Sequence, residues 1–95
     1  MLNQTFVIKE PTGIDLKLAG ELCETAVEYK SEAILNCGKT SANVKSLLSL
    51  LGACIKCKDE VELVCSGEDE REAFTTLLSL LGQNQELADA GKPPV

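Results

Sequence analysis

Residues 61–74, with the sequence VELVCSGEDEREAF, contain the pattern that decides the fold. Val61, Leu63 and Cys65 occupy alternate positions, as expected for a β-strand with one face toward a core. Gly67 ends this alternation, and the acidic residues after it suit the positive end of a helix dipole. Apolar residues then recur at helical spacing, at Ala73, Phe74, Leu77, Leu78 and Leu81. The segment therefore predicts a strand that leads directly into a helix.

The N-terminal part of the chain predicts a second strand and helix pair. Phe6 and Ile8 share one face of an alternating stretch over about residues 2 to 8, which ends at Pro11-Thr12-Gly13. Asp15 follows as a natural N-cap for a helix. The predicted buried stripe of that helix consists of Leu18, Ala19, Leu22, Cys23, Ala26 and Val27.

Three elements remain between these pairs, two strands of a hairpin and a short helix. Residues 33–44 predict a hairpin that turns at Cys37-Gly38, and Ser46 then stands as the N-cap of a short leucine-rich helix that ends at Gly52. The order is strand, helix, strand, strand, helix, strand, helix. Such a split βαβ pattern with an added helix predicts an α+β fold, in which a four-stranded antiparallel sheet is covered on one face by helices. The pattern alone does not specify a function.

Length and composition restrict the possible classes of protein. A chain of 95 residues with 44% hydrophobic content supports one small core, which we assign to residues 1–83, with 84–95 as a flexible tail. The chain has no apolar run long enough to span a bilayer, and residues 1–5 lack the order of a secretory signal, so we expect a cytoplasmic protein. A net charge of −6 without a basic block argues against direct binding to nucleic acid or membranes.

Five cysteines do not suggest a disulfide framework, because their number is odd and cytosolic thiols are normally reduced. Cys54 and Cys57 form one CxxC pair, which supplies half of the four ligands of a structural zinc site in a chain without histidine. We therefore expect no metal or cofactor, and keep a thiol or metal-binding role for this pair as an alternative. Cys23 and Cys65 are predicted to be buried, and Cys37 to lie near the surface with Cys54 and Cys57.

Three segments in order, residues 11–19, 38–50 and 61–73, resemble the HPr family, the histidine phosphocarriers of the bacterial sugar phosphotransferase system. The similarity extends without a gap from about Phe6 to Gln83. It implies the HPr fold, an open-faced β-sandwich in which three helices cover one face of a four-stranded antiparallel sheet in the order βαββαβα.

The resemblance fails at the active-site turn. The family places its phosphorylated histidine, an arginine and a proline where this chain has Asp15, Lys17 and Leu18. Lysine lacks the planar fork of donors with which arginine holds phosphate, and a chain without histidine cannot carry phosphate on an imidazole. Asp15 is then a simple N-cap, a carboxylate whose charge imitates the phosphorylated carrier, or the site of an acyl phosphate.

A second family feature is retained at Ser46, which corresponds to the serine that a dedicated kinase phosphorylates in many bacteria. A phosphate there would meet the unpaired amides of a helix N-terminus, with Lys45 as a nearby cation. The alternative is an ordinary serine cap. Leu47 and Leu48 match an apolar pair that docks partners in the family, and would otherwise belong to the core.

The sequence thus predicts a non-catalytic, regulatory HPr-like protein related to sugar transport. Its predicted binding face consists of Asp15, Lys17, Ser46, Leu47 and Leu48. By resemblance, its partners are HPr kinase/phosphorylase, a catabolite-control regulator or phosphotransferase enzymes, and it is expected to be a monomer. A phosphoryl carrier that uses Asp15 remains an alternative function.

Overall fold

The structure is a computed structural model that describes residues 1–82. Seven elements follow one another in the predicted order. They are β1 (Leu2–Val7), α1 (Leu16–Ala26), β2 (Glu32–Cys37), β3 (Thr40–Asn43), α2 (Leu47–Gly52), β4 (Glu60–Ser66) and α3 (Glu70–Leu80). The predicted tail, residues 84–95, lies outside the described residues.

The four strands form one antiparallel sheet in the order β1-β4-β2-β3. Strand β4 lies at the centre, where Val61 pairs with Phe6 of β1 and Leu63 pairs with Leu35 of β2. Alternate residues of β4 are buried, as the period of two requires. The three helices cover this buried face, which confirms the predicted open-faced sandwich.

The buried stripe of α3 is confirmed at all five predicted positions: Ala73, Phe74, Leu77, Leu78 and Leu81. The prediction for α1 was wrong at its end, because the helix stops at Ala26 and Val27 is 56% exposed as the C-cap residue. Cys23 is only half-buried rather than buried, and its thiol donates a hydrogen bond to the carbonyl oxygen of Lys45 at 3.3 Å. Cys65 is fully buried, as predicted.

Asp69 links the connection between α1 and β2 to the start of α3 through hydrogen bonds to Lys30 and Ser31. We call this contact the Asp69 joint. Its Oδ1 accepts hydrogen bonds from the Ser31 amide at 2.9 Å and the Ser31 hydroxyl at 2.5 Å, and its Oδ2 accepts one from the Lys30 amide at 3.0 Å. The carboxylate therefore bonds across the fold instead of capping its own helix. Gly67 completes the joint, since a β-carbon there would lie 2.6 Å from the Ser31 Cα.

We predict that this joint makes stability depend on pH in the acid range. The Ser31 hydroxyl and then the Lys30 amide lower the pKa of Asp69 from 3.8 to about 2. Because folding depresses this pKa, the stabilisation is complete above the unfolded value and is lost as the pH falls toward the folded value. Urea unfolding between about pH 5 and about pH 2 should show a steeper loss for the wild type than for Asp69→Asn. Equal losses of stability with falling pH in the two proteins would show that the Asp69 joint does not cause the pH dependence.

Candidate functional site

Asp15 lies at the N-terminus of α1, in extended backbone conformation with φ −89° and ψ −174°. Its Oδ1 accepts a hydrogen bond from the Leu18 amide at 3.0 Å, and its Oδ2 accepts one from the Thr12 hydroxyl at 3.1 Å. The Leu18 amide, then the Thr12 hydroxyl and the charge of Lys17 lower the pKa of Asp15. Asp15 is therefore an ionised N-cap of α1, as its position before the apolar run predicted.

The turn before Asp15 rests on the loop between α2 and β4, residues 53–59. The Ile14 amide donates a hydrogen bond to the Ile55 carbonyl oxygen at 3.0 Å, and both isoleucines are buried. Gly13 has a φ of +68°, and a β-carbon there would lie 2.5 Å from the Ile55 oxygen and 2.7 Å from the Lys56 Cα. We call Ile55 and Lys56 the seat of the Asp15 turn. This contact was not predicted from the sequence, although Gly13 was a signal for a close backbone approach.

The two other residues that the resemblance places at the family's active-site turn, Lys17 and Leu18, have different environments. Lys17 is exposed, whereas Leu18 is largely buried in the core. A shallow cavity of about 210 Å³ lies beside them, and its lining consists of Glu10, Asp15, Lys17, Leu18, Glu21 and Leu80. Three carboxylates and one ammonium group give this part of the surface an acidic character.

Ser46 is the N-cap of α2, as predicted. Its backbone is extended, with φ −120° and ψ 114°, and its hydroxyl accepts a hydrogen bond from the Ser49 amide at 3.2 Å. The expected cation beside it is directed elsewhere, since the Lys45 ammonium donates to the Tyr29 carbonyl oxygen at 2.8 Å. That hydrogen bond stabilises the residues after α1 and does not involve the Ser46 hydroxyl.

The leucine pair after Ser46 divides between surface and core. Leu47 is half-buried against the core, and Leu48 is 81% exposed. Leu16, in the first turn of α1, is 65% exposed and was not selected from the sequence, because one apolar residue off the helical stripe gives a weak signal. Helices α1 and α2 are in contact, and the Cys23 thiol of α1 donates a hydrogen bond to the carbonyl oxygen of Lys45, two residues before α2. The structure thus places two capped helix N-termini, each with an exposed leucine, on adjacent helices.

The remaining candidates are the two cysteines of the CxxC pair, which flank the seat. Cys54 is exposed and Cys57 is half-buried, and both are free thiols. Within residues 1–82, no group of three or more cysteine, aspartate or glutamate side chains is arranged to hold a metal ion. No helix in the same part of the chain is long and apolar enough to cross a membrane.

One four-stranded antiparallel sheet covered on one face by three helices defines the class of small open-faced α+β sandwiches. The family model described as the PTS HPr component phosphorylation site matches residues 2–83. The chain belongs to this HPr family.

Relatives in the family include carriers and an HPr-like protein. The phosphocarrier protein HPr of Lysinibacillus sphaericus is 33% identical over 81 residues, which cover 85% of this chain and 92% of the relative. The HPr-like protein Crh of Bacillus subtilis is 29% identical over 77 residues, which cover 81% of this chain and 91% of Crh.

Solved structures agree with these relatives. HPr-C-His from Thermoanaerobacter tengcongensis has a TM-score of 0.82 at 26% identity, covering 88% of this chain and 94% of that one. Crh, the Bacillus subtilis catabolite repression protein, has a TM-score of 0.69 at 26% identity, covering 88% of this chain and 97% of that one. Crh was solved as a domain-swapped, intertwined dimer, so the predicted monomeric state of this chain has no support from that relative.

Proposed function

We propose that this protein is a non-catalytic member of the HPr family that acts by binding other proteins. The observation that carries the proposal is the state of Asp15, whose carboxylate caps α1 at the position where the resemblance expects a carrier histidine. No histidine occurs among the 95 residues. The fold that presents a phosphorylation turn is retained, while the group that would accept the phosphate is different.

The chemistry of the turn supports loss of the carrier activity. An imidazole can hold a phosphoryl group and pass it on, whereas the carboxylate oxygens of Asp15 accept two hydrogen bonds that stabilise the ionised cap. Lys17 supplies a point charge without the bidentate fork of an arginine. We therefore favour a role in which Asp15 contributes structure and negative charge to a binding face.

The proposed binding face consists of Asp15, Lys17, Ser46, Leu47 and Leu48. Exposed leucine side chains beside charged groups are typical of surfaces that bind other proteins, and Leu48 is the most exposed apolar residue of the five. The partners we propose are HPr kinase/phosphorylase, a catabolite-control regulator and enzymes of the phosphotransferase system. The similarity to Crh, a catabolite repression protein, supports a regulatory partner.

Phosphorylation of Ser46 is the proposed switch for this face. The Ser46 oxygen already faces the Ser49 amide at the start of α2, so phosphate oxygens would meet amide donors there without unfolding the helix. The added charge would stand next to Leu48 and change which surfaces can bind. Incubation with HPr kinase and ATP, followed by mass spectrometry, should place one phosphate on Ser46. Absence of that phosphate would remove the switch from the proposal.

Capping makes a separate prediction for variants at this position. Ser46→Ala should lower the free energy of unfolding by about 1 kcal/mol, because it removes the oxygen that accepts from the Ser49 amide. Ser46→Asp should keep most of the stability, since aspartate is an equally good N-cap. Urea unfolding of both variants measures the difference. If Ser46→Asp were the less stable of the two, a charged group at this helix end would not be tolerated and the switch would need another explanation.

A further inference from the structure

Two thiols border the seat of the Asp15 turn on its two sides. Cys54 and Cys57 enclose Ile55 and Lys56, whose backbone atoms are those that Gly13 approaches most closely. Both thiols are free, and Cys54 is exposed to solvent. The two cysteines therefore flank, in sequence, the residues that contact the turn before Asp15.

The backbone between the two cysteines is not folded into a turn. Ile55 and Lys56 lie in no helix, strand, turn or bend. Cys54 has a φ of 54°, a left-handed conformation that a residue with a β-carbon disfavours. A change of backbone conformation at Cys54 would relieve that strain.

We propose that Cys54 and Cys57 form a reversible intramolecular disulfide, and that this bond displaces the Asp15 turn. The oxidant is a small-molecule disulfide. The Cys54 thiolate attacks one of its sulfur atoms and releases one small thiol, and the Cys57 thiolate then attacks the Cys54 sulfur of the mixed disulfide and releases the second. In total, two protein thiols lose two protons and two electrons, and one small disulfide becomes two small thiols.

Closing this ring requires the seat to move. A disulfide needs its two Cα atoms within about 7 Å, and Ile55 and Lys56 lie in no turn or bend, so closing the ring bends the chain at these two residues. That bend carries the Ile55 carbonyl oxygen away from the Ile14 amide, which it now contacts at 3.0 Å. Gly13 then loses the surface against which it is packed, and the turn that leads to Asp15 is no longer held on that side. A strained and exposed disulfide of this kind is labile, which suits a reversible modification.

The test uses the full chain in buffers with increasing ratios of oxidised to reduced glutathione. Mass spectrometry should show the loss of two hydrogens, and peptide mapping should place the bond between Cys54 and Cys57. Amide hydrogen exchange at Ile14 should become roughly tenfold faster in the oxidised protein, because its hydrogen bond to Ile55 is lost. The amide resonances of Asp15 and Leu18 should shift, while those of Ser31 and Lys30 should not.

Cys54→Ser and Cys57→Ser are matched controls, since each keeps the polar side chain and removes the bridge. Neither should show faster exchange at Ile14 under oxidation. A chain that stops at the mixed disulfide on Cys54 would overturn the proposed bond. A bond that forms without any change at Ile14 or Asp15 would overturn the coupling.

The effect on binding rests on the proposed function, whereas the bond and the movement of the turn do not. Oxidised and reduced protein should therefore also be compared as substrates of HPr kinase. If the reduced protein is phosphorylated but oxidation leaves the rate unchanged, the proposed regulation fails and the proposed function stands. If neither form is phosphorylated while Ile14 still responds to oxidation, the Ser46 switch fails and the disulfide stands.

Discussion

Gly13→Ala is expected to lower the free energy of unfolding by about 3 kcal/mol, a large part of the 5–15 kcal/mol that is typical of a small domain. Two costs add at this position. A left-handed backbone with φ +68° disfavours any β-carbon, and the new methyl group would lie 2.5 Å from the Ile55 oxygen and 3.1 Å from the Cys57 nitrogen. These neighbours are backbone atoms, so they cannot move aside as a flexible side chain can. Urea unfolding of both proteins at neutral pH gives the difference.

Gly38→Ala is the matched control for this prediction. Gly38 has nearly the same conformation, with φ +61°, but a β-carbon there would have no atom within 4 Å. It should therefore lose only the conformational part, about 1 kcal/mol. The excess loss in Gly13→Ala measures the fit between the Asp15 turn and its seat. Equal losses in the two variants would show that the turn does not rest on Ile55 and Lys56.

Leu48→Ala is expected to reduce the efficiency with which HPr kinase phosphorylates Ser46 by roughly tenfold, while stability changes by less than about 0.5 kcal/mol. Leu48 is 81% exposed, so its side chain contributes little to the core. An apolar side chain two residues from Ser46 would become buried only when a partner docks there. Steady-state measurement of kcat/KM on wild type and variant tests this role.

Two further variants separate docking from folding. Val27→Ala removes another exposed apolar side chain, 56% exposed at the end of α1, and should leave kcat/KM unchanged. Leu50→Ala removes a fully buried side chain and should lose about 2–5 kcal/mol of stability. If Val27→Ala reduced phosphorylation as much as Leu48→Ala, the loss would not be specific to the proposed binding face.

Periodic patterns made most of the fold predictable. The alternation of Val61, Leu63 and Cys65 and the helical spacing after them fixed which faces are buried, and all three are buried in the structure. Asp15 and Ser46 were identified as N-caps because both stand just before apolar runs, and each accepts the expected amide hydrogen bond. These are local signals, decided by residues only a few positions apart.

Contacts between distant parts of the chain were not predictable in the same way. The seat joins residues more than forty positions apart, and the joint of Asp69 to Ser31 spans 38 positions. Lys45 was expected near Ser46, but its long side chain reaches the Tyr29 carbonyl oxygen instead. A side chain of that length can choose among several acceptors, and only the packing of α1 against α2 decides between them.

The proposed binding face contains features of both kinds, local and long-range. Asp15, Lys17, Ser46, Leu47 and Leu48 were selected from the sequence by resemblance. The exposure of Leu48 agrees with that selection, whereas Leu47 is half-buried against the core. How much Leu47 contributes to a partner depends on its packing, which no local pattern reveals.

The most direct test of the central claim compares two phosphoryl donors on the same protein. Phosphoenolpyruvate with Enzyme I should transfer no phosphate to the chain, and ATP with HPr kinase should transfer one phosphate that is absent from Ser46→Ala. Intact-mass measurement of both reactions gives the answer. A phosphate acquired from phosphoenolpyruvate, sensitive to hydroxylamine and lost in Asp15→Asn, would contradict the account, because the chain would then be a carrier that uses an acyl phosphate.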